Sequence, residues 1–259
     1  MNSQQKITLL TLIIIFWFCP KPENPTPKTN PEFIVWNVGQ GLWTTWITND
    51  ECWHFDMGGE KIKTLEKVFS LCRNKVNRVF LSHWDWDHVG FIAKAKKRDW
   101  VLCLSQSPGG QMSSVKTGLL DGLSNCPVNS KLVENLWDVT KSDPPQKTNL
   151  KNRSNNHDSH VFFIKSLGII IPGDSTVSEE PLWSRKIHSN VTGLVLGHHG
   201  SRTSTSEQLL TKIPNLKWAI ASQRFKRFHH PHPETIARLR QHHVPLLRTE
   251  DWGDIRFEL

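Results

Sequence analysis

Residues 83 to 88 read His83-Trp84-Asp85-Trp86-Asp87-His88, four metal-capable side chains in six positions. They follow Arg78 to Ser82, a short run that reads as a strand, and precede Val89 to Lys97, which reads as a helix, so the cluster occupies a strand-to-helix turn. Alternation along an extended segment puts His83 and Asp85 on one side, and the turn then swings Asp87 and His88 towards a neighbouring volume. That arrangement suits two cations in one cavity, about 3.5 to 4 Å apart, where they activate water and clamp an electrophilic phosphorus or carbonyl. Oxygen donors favour Mn and imidazoles suit Zn equally, so either divalent ion matches the donor set. The bland alternative is a solvated acidic loop, and the crowding of donors at a strand end argues against it. Trp84 and Trp86 read as core packing, with shielding of the cluster as the second possibility.

The elements that must hold this turn alternate in a recognisable way. Phe33 to Val38, Leu42 to Ile47 and Cys52 to Asp56 read as three strands joined by short turns, an antiparallel meander. Helical spacing follows at Glu60 to Ser70. Trp100 to Leu104 reads as a strand, and Ser105 to His160, polar and poorly periodic with Pro144-Pro145 inside it, reads as an irregular excursion. Val161 to Lys165 and Gly168 to Ile171 form an expected hairpin. Beyond it, helices at Val177 to Lys186, Ser204 to Leu210 and Pro233 to His242 interleave with strands at Gly193 to Leu196, Lys217 to Ala221, Leu246 to Arg248 and Ile255 to Glu258. Paired strands followed by interleaved strands and helices predict an α/β sandwich, a single domain over 32–259.

The chain has 259 residues with a formal charge of +8, enough length to bury a full core and a balance that favours a polyanionic partner over a cationic one. Twelve tryptophans and no tyrosine exclude tyrosine-nucleophile chemistry and leave indoles for core or stacking. Five cysteines (Cys19, Cys52, Cys72, Cys103, Cys126) without a C-x-x-C pair give no support to a zinc ribbon or a thioredoxin-type motif, and leave the redox compartment open. Ile7 to Phe18 is uncharged and follows Lys6, so residues 1–19 read as a signal peptide or membrane anchor, and the proline-rich stretch 20–31 as an extended linker. Either reading places the folded domain outside the cytoplasm.

The H-x-D-x-D-H cluster resembles the H-x-[HD]-x-D-H signature of the metallo-β-lactamase superfamily. Val38-Gly39-Gln40-Gly41, Phe55-Asp56-x-Gly58, Leu81-Ser82-His83-Trp84-Asp85, Pro172-Gly173-Asp174, His198-His199-Gly200-Ser201, His230-Pro231 and Arg248-Thr249 follow in an order similar to the C-terminal hydrolase domain of ComEC-type DNA-internalisation proteins. The resemblance implies a metallo-β-lactamase fold, an αββα sandwich of two mixed sheets flanked by helices. It also implies two divalent metal ions, with His83 and Asp85 on the first, Asp87 and His88 on the second and Asp174 bridging them. Asp174 has a helix N-cap as its alternative role. His198 is expected as a further ligand and His199 as a substrate-facing group, although the order of the pair stays open. His230 is expected to contact phosphate or act as acid, Asp56 to order the loop beneath the metals, and Ser201 to touch substrate. Asn156-x-x-Ser159 resembles an asparagine-serine stretch of the family, with His157 able to stand in for a histidine found in other superfamily members.

Two positions depart from the family pattern: Leu42-Trp43 follow Gly41 where G-Q-G-D is usual, and His229 stands where glycine precedes H-P. Arg224, Lys226 and Arg227, with Lys217, Arg238 and Arg240, form a basic stretch around His229, His230 and His232 that suits a phosphate-lined groove. Lys94, Lys96, Lys97 and Arg98 read as a polar helix end. Together these point to a metal-dependent phosphodiesterase or nuclease acting on DNA during uptake, with a membrane channel component as partner. The alternatives are a small-molecule ester, lactam or thioester hydrolase, or a non-catalytic DNA-binding or membrane-associated module.

Overall fold

The run Phe33 to Trp36 is apolar on both faces, and the fold explains why. Phe33 and Val35 face a cluster shared with Phe162, Ile171, Val195 and Ile220, whereas Ile34 and Trp36 face a second cluster with Leu65, Val68 and Ile92. Period-two alternation therefore serves two cores, one between sheets and one beneath helices. The computed structural model describes residues 30–138, 155–188 and 190–259. The expected signal or anchor segment, all but the end of the proline-rich linker, and Pro144-Pro145 lie outside the described residues.

Among the described residues one sheet has seven strands: β1 (Glu32–Val35), β2 (Thr44–Ile47), β3 (Glu51–Phe55), β4 (Val76–Phe80), β5 (Cys103–Gln106), β6 (Ser124–Asn125) and β13 (Ile255–Glu258), in the order β13-β1-β2-β3-β4-β5-β6. The other has six, β7 (Val133–Trp137), β8 (Val161–Ile164), β9 (Ile169–Ile171), β10 (Gly193–Val195), β11 (Trp218–Ala221) and β12 (Leu246–Arg248), in the order β12-β11-β10-β9-β8-β7. In both sheets an antiparallel part gives way to a parallel part: β1 to β3 are antiparallel and β3 to β6 parallel, while β7 to β9 are antiparallel and β9 to β12 parallel. The expected meander and hairpin are present within these mixed sheets.

Helices cover the outer faces. Helix α1 (Ile62–Cys72) buries Thr64, Leu65, Val68 and Cys72, spaced to lie along one stripe. On the other sheet, Trp183, Leu209, Leu210 and Leu239 from the later helices pack with Ile170, Leu194 and Ala219. Two disulfides tie the first half together: Cys52–Cys72 joins β3 to α1, and Cys103–Cys126 joins β5 to the segment after β6. Closing a loop of this length contributes about 3 kcal/mol in the chain-entropy account.

The expectation of an irregular excursion over Ser105 to His160 needs correction. It holds β6, β7 and 3-10 turns at Ser114–Lys116 and Asn155–Asp158. Strand β7 escapes a periodicity reading because its register to β8 shifts between Asn135 and Trp137, so Val133 and Leu136 are its buried residues and the alternation breaks. Phe225–Phe228 and Thr249–Trp252 form helices of four residues each, too short to show a 3.6-residue repeat.

Candidate metal centre

The ligand loop leaves β4 at Phe80 and enters a one-turn helix, Trp86–Val89, with extended backbone at Asp85. Asp56, at the end of the neighbouring β3, anchors it. The Ser82 N–H donates to Asp56 Oδ1 (2.7 Å), and both Ser82 Oγ (2.8 Å) and His88 Nδ1 (2.7 Å) donate to Oδ2. With its Nδ1 proton held there, His88 directs Nε2 into the cavity. The loop sits unusually close to its neighbour: a Cβ on Gly58 would lie 1.9 Å from the Asp87 carbonyl oxygen, so the Asp-x-Gly pattern is a packing requirement.

The second sheet supplies the opposite wall. Asp174 follows β9 across Pro172-Gly173, where a Cβ on Gly173 would meet the side chains of Ser159 and Ser82 within 2.3 and 2.5 Å. The Asp174 N–H donates to Ser159 Oγ (2.9 Å), which assigns Ser159 a supporting place. No cap bond from Asp174 is present at the helix Glu180–Ser184, whose N-cap is Glu179. His198 and His199 follow β10 in consecutive left-handed conformations, φ 47° and 56°, a cost that non-glycine residues carry where a site requires it. The turn sends the two imidazoles to the same carboxylate from different sides.

Asp174 divides the cluster. Its Oδ2 lies 3.9 Å from His83 Nε2 and 3.7 Å from His198 Nε2, while its Oδ1 lies 3.1 Å from His88 Nε2 and 3.6 Å from His199 Nε2. Asp85 Oδ2 is 3.6 Å from His83 Nε2, and Asp87 Oδ2 is 3.3 Å from His199 Nε2. Two overlapping three-donor groups result, His83-His88-Asp174 and Asp87-His88-His199. His199 is buried and its Nδ1 proton goes to the Ser222 carbonyl (2.9 Å), so its Nε2 faces inward, beside Asp87 and Asp174. His198, less buried, accepts from Asn156 Nδ2 at Nε2 (3.3 Å).

The donor set fits a cation. The buried Nε2 of His83 and Oδ1 of Asp174 have no hydrogen-bond partner in the protein. The Nε2 atoms of His88 and His199 face each other at 3.3 Å, each with its other ring nitrogen already committed, so two lone pairs meet unless a proton or a cation lies between them. Burial opposes charge throughout, yet Asp174 and then Asp56 hold His88 well above the usual imidazole range, and Asp174 with Asp87 raises His199. The reciprocal attraction of His88 and His199 holds Asp174 far below the carboxylate range, and Asp87 is lowered too, by its hydrogen bond to His199 and the charge of His88. The close approach of the His83 imidazole, against the opposing effect of burial, brings Asp85 to about 2.

Around this centre several expectations change. Trp84 is core, 8% exposed, but Trp86 is 49% exposed and is not core packing. His157 does not reach the centre; its Nδ1 lies 2.8 Å from Glu179 Oε1. Ser201 is buried, with its hydroxyl 3.0 Å from Thr203 Oγ1, so it braces its own loop. Arg224 and Arg227 both bind Glu60 Oε1, at 3.0 and 2.6 Å, and Lys226 is exposed. Arg238 donates to the Ser204 carbonyl and so serves the fold. Of the departures from the family pattern, Leu42 and Trp43 are core residues, and His229 takes φ 56°, the conformation for which glycine is the usual occupant. His230 stands beside His198, ring centroids 5.8 Å apart, with a buried Nδ1 that has no partner. Burial, then the neighbouring His199 and His198, lower its pKa to about 4, so it is neutral at pH 7.

Two contributors carried no signal in the sequence. Asn155 Nδ2 donates to Asp85 Oδ1 (2.9 Å), and Lys116, on the 3-10 turn Ser114–Lys116, donates to the Trp84 carbonyl with its ammonium 5.1 Å from the Trp86 ring centre. Both come from the stretch that reads as irregular. Only the asparagine adjoins a motif.

No protein-family model matches the chain. It is 28% identical over 249 residues, 92% of this chain and 34% of that protein, to the competence protein ComA of Neisseria gonorrhoeae. It is 26% identical to recombination protein 2 of Haemophilus influenzae, covering 85% of this chain and 28% of that one, and 29% identical to ComE operon protein 3 of Bacillus subtilis, covering 71% and 24%. The chain thus spans about a third or less of the length of these relatives. Among solved structures, the metallo-beta-lactamase fold protein YhfI of Bacillus subtilis matches with a TM-score of 0.54 at 10% identity, over 89% of this chain and 100% of that one. Igni18, a metallo hydrolase of Ignicoccus hospitalis, matches with a TM-score of 0.50 at 12% identity, over 88% and 99%. The sandwich is the metallo-β-lactamase fold, and the resemblance to ComEC-type proteins extends over most of the chain.

Proposed function

We propose that this chain, a metallo-β-lactamase-fold relative of ComEC-type competence proteins, is a metal-dependent phosphodiesterase that acts on DNA during DNA uptake. The observation that carries the reading is the split of Asp174: one oxygen faces His83 and His198, the other His88 and His199, with Asp85 and Asp87 on the corresponding sides. His83, Asp85 and His198 would hold one cation, Asp87, His88 and His199 a second, and Asp174 both. Divalent ions, Zn or Mn, supply there the Lewis acidity that activates water at neutral pH and offsets charge on a phosphoryl oxygen.

The chain's own groups prepare the site for that chemistry. Asp56 and the Ser222 carbonyl fix the ring orientation of His88 and His199, so that each presents a lone pair without rearrangement. Neutral His230 can offer a ring N–H to a substrate oxygen at the His198 side. The net charge of +8 favours a polyanion. The two disulfides fit an oxidising compartment, consistent with a domain outside the cytoplasm and attached to, or exported across, a membrane, where a channel component would be its partner. No helix among the described residues is long and apolar enough to cross a membrane.

Metal analysis of the purified chain, followed by cleavage of labelled single- and double-stranded DNA with manganese or zinc, tests the reading. Two ions per chain and salt-sensitive cleavage are expected, with Asp87→Ala and Asp174→Ala reduced to background while far-UV circular dichroism is unchanged. Full activity in both variants would overturn it.

A further inference from the structure

Both walls of the metal centre carry the same unusual pair, an exposed aromatic ring with a cation against it. On the first wall Trp86 stands between Asp85 and Asp87, 49% exposed, with the Lys116 ammonium 5.1 Å from its ring centre. On the second wall Phe228 is also 49% exposed, with the Arg227 guanidinium 5.2 Å from its ring centre and the His230 ring 6.0 Å away. A chain of ring contacts links that phenylalanine to the centre, since His230 lies 5.8 Å from His198. The fold has ample room for buried indoles, and Trp36, Trp43 and Trp183 are fully buried. An exposed indole between two ligand carboxylates therefore has no packing role, and Lys116, itself only 7% exposed, fixes its position.

We infer that Trp86 and Phe228 are stacking platforms for nucleobases on either side of the reacting phosphate, so that the substrate is single-stranded nucleic acid. The inference rests on the phosphodiesterase reading and adds the strand state of the substrate. A half-exposed flat ring on each wall matches a ligand that strings flat bases along its phosphates. A duplex keeps its bases stacked on one another and offers neither ring a face, and a small ester or lactam has too little ring surface to span both walls. Lys116, tied to the Trp84 carbonyl, and Arg227, tied to Glu60, lie against the rings and hold them in place.

The test is fluorescence anisotropy of the full chain with excess chelator in place of manganese or zinc, so that no metal-activated water cleaves the probe. Three probes of equal length are compared: single-stranded oligothymidylate, an abasic strand with the same phosphates, and a duplex. Oligothymidylate is expected to bind at least tenfold tighter than the abasic strand. Trp86→Ala and Phe228→Ala each lose roughly 5- to 150-fold on oligothymidylate, the range of a single base–aromatic stack, while abasic binding stays within about twofold. Trp86→Phe retains most of the preference. Equal binding of oligothymidylate and abasic strand by the wild-type chain, preference for duplex, or equal loss on both single strands in the alanine variants each overturn the inference. A preference for bases without cleavage of any DNA in manganese or zinc would instead remove the phosphodiesterase reading, and cleavage without that preference would remove only the stacking.

Discussion

Two buried histidine environments begin two residues apart on the first sheet, at His54 and Asp56, and they behave in opposite ways. His54, on β3, is wholly buried; its Nδ1 accepts from Trp43 Nε1 (3.2 Å) and lies 3.0 Å from Thr45 Oγ1, and its Nε2 donates to Asn77 Oδ1 (3.1 Å). Both nitrogens are satisfied by neutral groups, and burial lowers its pKa to about 4. Cys52 and Cys72 flank it, but their thiols are spent on a disulfide. Two residues further on, Asp56 opens the other cluster, in which His83, His88 and His199 meet Asp87 and Asp174 with unpartnered donor atoms left inward. Burial of histidine is common to both. What separates a centre from a core is the combination of carboxylates, uncommitted lone pairs and left-handed backbone at His198 and His199.

The sharpest way to break that distinction is to offer metal. Binding to the folded state alone stabilises by about 2.7 kcal/mol per ion at a hundredfold excess over Kd, so two ions contribute about 5 kcal/mol and raise Tm by roughly 10–20 °C. Thermal unfolding of the full chain with and without manganese or zinc is expected to show this shift in the wild type and in His54→Gln, and to lose it in Asp174→Asn. A shift that vanished with His54→Gln would place the metal in the wrong cluster.

The neutral cluster makes the next prediction. The folded pKa of His54, about 4, lies below the ordinary 6.5, so the unfolded chain binds the proton first. Its contribution to stability is complete above about pH 6.5 and is lost as pH falls through the window down to about 4, at about 1.4 kcal/mol per unit or about 3 kcal/mol in all. Burial also lowers His160, His198 and His230, so the difference between wild type and His54→Gln isolates the effect. Denaturant titrations at pH 7 and pH 4.5 should show the wild type losing about 2 kcal/mol more than the variant. Parallel losses would mean that His54 is not held neutral.

The sequence made the donor-rich cluster visible and left the neutral one unremarked, for a physical reason. His83, Asp85, Asp87 and His88 are contiguous, and a spacing of one or two residues at a strand end survives any uncertainty about tertiary structure. His54 sits in an alternating strand whose partners, Trp43, Thr45 and Asn77, come from two neighbouring strands and leave no local pattern. The same logic governs the centre's periphery. Lys116 and Asn155 arrive from a stretch without periodicity, and only the three-dimensional path of the chain brings them to Trp84 and Asp85. The basic stretch was legible as charge, but its pairing was not: Glu60, far away in sequence, takes both Arg224 and Arg227. The sheets were legible wherever alternation was intact and illegible at β7, where a register shift interrupts it.

The finest contrast between the clusters is a single proton on His88. Asp56, 1% exposed, accepts that Nδ1 proton, and this fixes the ring so that Nε2 is the nitrogen a cation takes. Asp56→Asn keeps the shape and one accepting oxygen, which still receives the Ser82 N–H in the orientation that matches Oδ1. The new amide NH2 then faces His88 Nδ1 as a donor, so the imidazole carries its proton on Nε2 and points it at Asp174 Oδ1, 3.1 Å away. A cation on Nε2 then leaves the remaining proton on Nδ1 facing the amide NH2, donor against donor, a clash the wild-type carboxylate does not have. Metal affinity should fall roughly 10- to 100-fold, about 1.4–2.7 kcal/mol, with the metal-free fold intact by circular dichroism. The corresponding change at the neutral cluster, Asn77→Asp, acts on stability alone and leaves metal affinity where it was. If isothermal titration gave Asp56→Asn the wild-type affinity, the orientation of His88 would be set by the ligand loop itself, and the carboxylate beneath it would belong with the core histidine's partners rather than with the centre.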